Sequence, residues 1–485
     1  MSPNPNPNPN SFLSKLKNSP RYRWFIFANV SIGTFMSTLD SSIVNVALPT
    51  ISKTLHTDLS VIQWVVTAYL LVISSLLPIF GRIADLIGRK KIFSLGFLIF
   101  TLGSFLCGLA NNIWFLVGMR VVQAIGASML MANSSAIITA TFPPYERGRA
   151  LGLTGTVVAL GSLFGPAIGG LLLGIASWRS IFFINLPIGI IGYWAAQIIL
   201  PPDQPHKGTE TFDTFGAVFF STGMILILLA LNNGQDWGWG SFPVLISLFV
   251  GITLLVSFFV TENRVNHPMI DLTLFKNRPF LIGNLSGFLS FTAIFSNIML
   301  MPFYLQHILN FSPSKVGLLM TAFPLIMAIT APISGRVSDR IGPIALTTTG
   351  LTLISLGLLY LSTLTSTSTA LQVVPGPILM GLGSGLFQSP NNSSVMSSVP
   401  KPKLGVAGGI NALVRNVGMV VGIALSVTLF ENRQAALLKG IPNPDALQQT
   451  TAFMTSYHTV LYVGASVAFF AALISLNRKG YARAK

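Results

Sequence analysis

The fold is decided by the stretch Leu39-Asp40-Ser41-Ser42-Ile43-Val44-Asn45-Val46-Ala47-Leu48-Pro49. This stretch lies inside the first long apolar run of the chain, which begins near Trp24. Pro49 is expected to limit the helix, and the residues from Asp40 to Pro49 correspond to about 13 Å at 1.5 Å per residue. A carboxylate at such a depth in a membrane is costly and usually faces a partner or a water-filled path. Asp40 is therefore the residue that packing explains least.

The composition of the whole chain is that of a polytopic membrane protein. Of its 485 residues, 51% are hydrophobic and 9% are charged, whereas soluble proteins carry about 25% charged residues. The net charge of +16 is scattered between apolar runs, so no nucleic-acid partner is expected. Cys107 is the single cysteine, and the five histidines show no ligand spacing, so neither a disulfide nor a metal site is predicted.

Apolar runs of about 20 residues, the length that crosses ~30 Å of hydrocarbon, predict about fourteen membrane-spanning helices. The first is predicted at 24–48, and the uncharged stretch 341–400 is divided into two helices at the Ser/Thr-rich segment 362–369. Lysine and arginine concentrate in alternate connecting segments, so both termini are predicted to be cytoplasmic. We therefore expect an all-α, multi-pass protein of the inner (plasma) membrane.

An internal repeat divides the chain. The segment Gly81–Gly88 resembles Gly335–Gly342, and a glycine pair in helix 5 matches a pair in helix 13 at nearly the same offset. Duplicated halves are common in secondary transporters, which place the substrate between them. The predicted organisation is a disordered tail at 1–20, a six-helix half at 21–200, two extra central helices with linkers at 201–279, a second six-helix half at 280–476 and a basic tail at 477–485.

Five motifs in this order resemble the fourteen-helix drug:proton antiporter branch of the major facilitator superfamily, the multidrug efflux type. They are Leu39–Pro49, Gly81–Lys91, Arg120-Val121-Val122-Gln123, Gly161–Gly170 and Trp178–Asn185. The five motifs lie within residues 39–185, and the resemblance extends over almost the whole chain. The resemblance implies the major facilitator fold, with two pseudo-symmetric six-helix halves and two extra central helices.

Arg120 is predicted to lie at nearly the depth of Asp40, about 12 Å inside the outer face, and a carboxylate is its natural partner. The resemblance implies that Asp40 takes up and releases protons and that Arg120 tunes this exchange. The alternative is a static ion pair that holds two helices together. Asn45 and Gln123 either extend this polar network or serve as simple interhelical contacts.

The loop at residues 81–91 contains four residues to which the resemblance gives a role as a cytoplasmic latch: Gly81, Asp85, Gly88 and Arg89. A positive-inside loop explains its basic residues but not its glycines and its acid. In the implied latch, Asp85 meets Arg89 and a neighbouring helix N-terminus, where a carboxylate is favoured. The second copy keeps Asp339 but has Pro343 in the place of Arg89, which predicts a weaker latch.

Helix 5 carries a pattern of small residues and a proline: Gly161, Gly165, Pro166, Gly169 and Gly170. Small residues four apart let another helix approach closely, and the proline bends the helix. A packing groove alone would account for the pattern. The resemblance adds that it is typical of exporting members, which is the main reason to predict efflux rather than uptake.

The predicted substrate cavity is formed by Asn45, Gln123, Arg415, Asn411, Met299 and Phe288. Methionine and phenylalanine would give it an adaptable apolar lining. Arg415 has no acidic partner on helices 9–12 or 14. Three roles remain open for it: contact with an anionic group, a gate, or a structural role.

The sequence contains no phosphate-binding GxxxxGK loop and no recognisable nucleophile–base set, so neither an ATP-driven pump nor an enzyme is expected. We predict proton-coupled export of amphiphilic small molecules such as drugs, dyes or lipophilic metabolites, by alternating access. No cofactor is expected, because the proton gradient would supply the energy. The expected partners are these substrates and membrane lipid, and a periplasmic adaptor is not deducible. The alternatives are a dedicated metabolite or lipid transporter of the same superfamily and, more distantly, a membrane receptor or passive channel.

Overall fold

The computed structural model describes residues 19, 21–143, 146–203, 213–262, 272–400 and 403–478, and these are almost entirely helical. Within them lie fourteen helices of 15 or more residues, the predicted number. The helices are α1 (Tyr22–Leu55), α2 (Trp64–Ile87), α3 (Arg89–Gly108), α4 (Ile113–Thr141), α5 (Arg147–Ile175), α6 (Asn185–Ile199), α7 (Thr214–Trp237), α8 (Phe242–Glu262), α9 (Arg278–Phe303), α10 (Pro313–Ile341), α11 (Pro343–Leu361), α12 (Pro375–Ser397), α13 (Leu404–Leu438) and α14 (Ala446–Leu476).

Short helical segments adjoin four of these helices. Leu59–Ile62, Ser180–Phe183 and Ala370–Val373 precede α2, α6 and α12, and a π-helical turn, Tyr304–Ile308, continues α9. The predicted division of 341–400 is confirmed, because α11 ends at Leu361 and the next helical turn begins at Ala370. The predicted tails lie outside the described residues, apart from Ser19, Asn477 and Arg478.

The first helix is longer than predicted. It continues through Pro49 to Leu55 and ends where His56 adopts a left-handed conformation, with φ of 51°. A proline removes one backbone donor, but the residues on both sides of Pro49 pack into the core, and Leu48 and Ile51 are fully buried. Asp40 is therefore about 22 Å from the C-terminal end of the helix, whereas a helix ending at Pro49 would have placed it about 13 Å from that end.

Thirteen helical spans of the described residues are long and apolar enough to cross a membrane. The helix that falls outside this set is α1, which has the length but carries Asp40 and several other polar residues. Five of its polar residues, Asn29, Thr34, Ser37, Asp40 and Asn45, are buried inside the bundle. Together these helices make the chain a multi-pass membrane protein.

The helices pack as two groups. In the first group, α1 packs on three helices, α4, α5 and α6. α2 packs on α4, and α3 packs on both α4 and α6. In the second group α9 packs on α12, α13 and α14, and α11 on α12 and α14. The two groups meet mainly where α5 packs on α10 and where α2 packs on α13. This arrangement follows the predicted halves, whose residue limits stay a prediction.

The hairpin α7–α8 lies outside these two groups. α7 packs against α2 and α13, whereas α8 packs mainly on α7. The outer surface of the hairpin exposes large apolar side chains, among them Phe215, Phe242 and Phe249, each more than 70% exposed. Such a surface suits hydrocarbon rather than water.

Candidate functional site

Asp40 and Arg120 form an ion pair in the interior of the first six helices. Arg120 Nη1 donates to Asp40 Oδ2 at 2.5 Å, and both side chains are 0% exposed. The contact expected between α1 and α4 is thus confirmed. Its role in proton coupling stays a prediction.

The carboxylate of Asp40 accepts two further hydrogen bonds. Gln123 Nε2 donates to Oδ1 at 2.8 Å, and Asn185 Nδ2 donates to the same oxygen at 3.0 Å. Arg120 and Gln123 are three residues apart and share one face of α4, whereas Asn185 comes from the start of α6. The carboxylate of Asp40 thus accepts from three side chains on two helices, α4 and α6.

Arg120 is held from its other sides as well. Its Nε donates to the carbonyl of Val65 at 2.9 Å, and its Nη1 also donates to Gln123 Oε1 at 2.7 Å. Its guanidinium carbon lies 4.0 Å from the centre of the Tyr69 ring, a cation–π contact typically worth about 0.5–2 kcal/mol. α2 therefore also helps to position the pair.

Asn185 was not assigned a role from the sequence. It ends the motif Trp178–Asn185, so the motif placed it at the start of helix 6, but no local pattern indicates which way its amide points. In the structure it also donates to Ser104 Oγ at 3.0 Å, which connects α3 to the network. The network therefore joins α1, α2, α3, α4 and α6.

The residues expected in a substrate cavity are dispersed. Gln123 belongs to the Asp40 network, and Met299 is 1% exposed within the apolar core. Asn45 donates to Ser41 O in its own helix at 3.2 Å. The carbonyl of Phe288 faces Gly418 of α13, and the Phe288 side chain is half-buried.

Arg415 and Asn411 lie one turn apart on α13. Asn411 Nδ2 donates to Asn392 Oδ1 of α12 at 2.9 Å, and this pair is exposed. Arg415 is partly buried, and among the described residues its buried Nε has no hydrogen-bond partner.

At the predicted latch, Asp85 accepts hydrogen bonds from Arg89 Nε and Nη2 at 3.0 and 2.8 Å. Arg89 Nη1 also donates to the carbonyl of Ala136 in α4 at 3.1 Å. In the second copy Asp339 is exposed and has no ion pair among the described residues. This difference fits the weaker latch predicted there.

The carboxylate at the N-terminus of α3 is Asp203, a residue the sequence did not single out. It accepts from the backbone N–H groups of Lys90 and Lys91 at 2.8 and 3.0 Å. Gly88 precedes the helix with φ of 117°, and a Cβ there would lie 2.2 Å from Asp203 Oδ2. Gly88 is thus required by its backbone conformation and by Asp203 together. No signal near residue 203 indicates this distant capping contact.

The small residues of α5 face two different helices. A Cβ added to Gly165 would lie 1.8 Å from Ser42 Oγ of α1, and one added to Gly170 would lie 2.8 Å from Gly317 Cα of α10. Gly161 and Gly169 lie on the same stripe as Gly165 and also contact α1. Gly170 follows Gly169 directly, and consecutive residues of an α-helix point about 100° apart, so Gly170 faces a different neighbour. The pattern therefore allows α5 to contact one helix in each half.

Two packed groups of apolar helices, with a buried charged pair inside the first group, are the architecture of a polytopic membrane transport protein. The family model of the Major Facilitator Superfamily matches residues 30–423 and 283–478. The chain belongs to this superfamily.

Its relatives are transporters. The chain is 37% identical over 459 residues to the riboflavin transporter RibZ of Clostridioides difficile (strain 630), across 94% of this chain and 97% of that protein. It is 33% identical over 428 residues to the multidrug transporter protein MdtP of Bacillus subtilis (strain 168), across 88% of this chain and 79% of that protein. These matches confirm the predicted superfamily and its multidrug-transporter relatives.

A solved structure shows the same fold. It is a bacterial homologue of the human lysosomal transporter Spinster, with a TM-score of 0.65 and 16% identity, covering 95% of this chain and 99% of that chain. At this level of identity the likeness extends to the fold alone. The predicted all-α major facilitator fold is therefore confirmed, while the orientation of the termini stays a prediction.

Proposed function

We propose that this protein is a proton-coupled secondary transporter of the inner (plasma) membrane that exports amphiphilic small molecules by alternating access. Both termini would lie in the cytoplasm, the proton gradient would supply the energy, and no cofactor would take part. The observation that carries the proposal is the fully buried Asp40–Arg120 pair. A buried ion pair stabilises a fold little compared with apolar packing, so a static role is a poor reason for it.

The hydrogen bonds of Asp40 support a proton-dependent step. A carboxylate accepts from Arg120, Gln123 and Asn185 at once, whereas a protonated acid turns one oxygen into a donor and loses the charge that strengthens these bonds. Proton uptake would therefore loosen α1 from α4 and α6. Proton release would restore the three bonds.

α1 is placed to carry such a change to the second half. Gln306, in the π-helical turn after α9, donates to Val46 O at 3.0 Å and accepts from Thr50 Oγ1 at 3.3 Å. Val46 and Thr50 both belong to α1, about 1.7 and 2.8 turns beyond Asp40. A shift of α1 would thus act directly on a contact between the two halves.

The direction and the substrate range rest on the relatives and on α5. Multidrug transporters are among the relatives, and the glycine–proline pattern of α5 resembles that of exporting members. A second candidate is a dedicated metabolite transporter with a flavin-like substrate, which is supported by 37% identity to RibZ along nearly the whole of both chains.

Transport by the purified protein in liposomes with an imposed pH gradient tests the proposal. Uphill accumulation of ethidium or rhodamine dyes, with proton counterflow, is the expected result. Accumulation of riboflavin alone would favour the dedicated transporter. Flux without counterflow would indicate a channel, and no flux of any compound would indicate a receptor.

A further inference from the structure

One stripe of α13 places Arg415 beside α9. Asn411, Arg415, Gly418 and Gly422 are spaced i, i+4, i+7 and i+11, so they share one side of the helix. Gly418 and Gly422 pack on the α9 backbone, and Thr292 Oγ1 of α9 donates to Gly418 O at 3.2 Å. Arg415 therefore lies less than one turn from the point where α13 contacts α9 near Phe288.

The same stripe places Arg415 opposite Gln388 of α12. α12 and α13 are consecutive helices with a short connection, so they run in opposite directions. Asn392 contacts Asn411. One turn back along α12 is Gln388, and one turn forward along α13 is Arg415, which brings these two side chains to the same level.

Among the described residues, Arg415 forms no ion pair. Its Nε is buried without a partner among the described residues. The second half contains three acidic residues. Asp339 is exposed near the end of α10, Asp445 caps α14, and Glu431 lies about 24 Å further along α13.

Two side chains at the level of Arg415 are suited to a ligand. Among the described residues, the one acceptor of Gln388 Nε2 is the weak acceptor Met327 Sδ, at 3.6 Å. Phe288 offers a half-buried ring. An unbalanced guanidinium, a spare amide donor and an aromatic surface would together suit an aromatic amphiphile with an anionic oxygen group.

We propose that Arg415 is the substrate's anion-binding residue, which takes a carboxylate or similar anionic oxygen group of an amphiphile, with Gln388 as the neutral donor. This inference rests on the proposed transport function and ranks zwitterionic and anionic amphiphiles above monocations among its substrates. It also gives a reason for retaining a costly charge in the membrane, because the bound substrate supplies the missing counter-charge.

The test is equilibrium binding to the purified full chain, without a proton gradient. The probes are rhodamine B, a zwitterion with a free carboxylate, and its ethyl ester, a cation with the same aromatic body. The wild type should prefer rhodamine B. Arg415→Gln should weaken rhodamine B binding by about tenfold or more and leave the ester within about twofold, while Arg415→Lys should recover part of the loss.

Arg433→Gln is the matched control, because it makes the same change at an exposed position of the same helix. Equal loss of both probes in Arg415→Gln, or a wild type with no preference for the carboxylate, would overturn the inference. If the wild type binds rhodamine B with the expected preference but does not accumulate it against a gradient, the proposed proton coupling is wrong, whereas the anion-binding role of Arg415 is supported.

Discussion

The substitution Gly317→Ala tests whether the contact between α5 and α10 holds the two halves together at one end, because it adds a single methyl group at that contact. Its Cβ would lie 2.3 Å from the Pro166 carbonyl oxygen and 2.7 Å from Gly170 Cα, whereas non-bonded carbon atoms prefer about 3.5–4.0 Å. Both obstructing atoms belong to the backbone, so no rotamer change relieves the clash. α5 and α10 would have to separate by roughly 1 Å, and overpacking of this kind costs about 1–3 kcal/mol.

This free-energy cost destabilises the conformation in which α5 and α10 are in contact and leaves a conformation in which they are apart unaffected. Gly317→Ala should therefore shift the population towards the alternative conformation by about 5- to 150-fold, since each 1.4 kcal/mol is a factor of ten. The mechanism requires this alternative conformation to be open where α1 meets Gln306.

Labelling of Thr50→Cys with a membrane-impermeant maleimide measures that opening, because Thr50 contacts Gln306 across the halves and the native Cys107 is buried. The labelling rate should rise in Gly317→Ala. Gly155→Ala is the matched control, because a Cβ there meets nothing within 4 Å. Equal labelling rates in the two variants would refute the reasoning.

Three further predictions concern the latch, the topology and the substrate charge. Asp85→Asn, which weakens a 2.8 Å ion pair, should reduce transport several-fold more than Asp339→Asn, and equal turnover would leave the loop as a topology signal only. A cysteine at Asn233 should label from outside the cell and one at Thr209 only from inside, so reversed labelling would overturn the orientation. A monocationic dye should be exported better than a dication of similar apolar area, because the carboxylate of Asp40 is already neutralised by Arg120, and efficient dication export would contradict this.

Hydropathy and charge were enough to predict the helix number and the central ion pair. Both follow from strong, local penalties: apolar runs must span the membrane, and two isolated charges at similar depth must meet. The estimate of about 13 Å assumed that α1 ends at Pro49, whereas α1 continues to Leu55 with Leu48 and Ile51 buried. The predicted pairing used that estimate, and the contact between Asp40 and Arg120 is present in the structure.

Long-range contacts of polar side chains were less predictable. Asn185 joins Asp40 because of the angle at which α6 meets α1, and Asp203 caps α3 from a segment more than 100 residues away. Gln123 was expected to extend the Asp40–Arg120 network or to line a cavity, and it bonds to Asp40. Its position on α4 suits either role, and only the arrangement of the neighbouring helices decides between them.

Proton movement measured together with substrate movement tests the central claim most directly. In liposomes that contain a pH-sensitive dye, addition of substrate to the wild type should produce proton counterflow in fixed proportion to substrate flux. Asp40→Asn should abolish the counterflow and uphill accumulation while downhill exchange continues, and Asp58→Asn, a change at an exposed loop carboxylate, should retain both. Substrate-dependent proton counterflow in Asp40→Asn at the wild-type ratio would contradict the account.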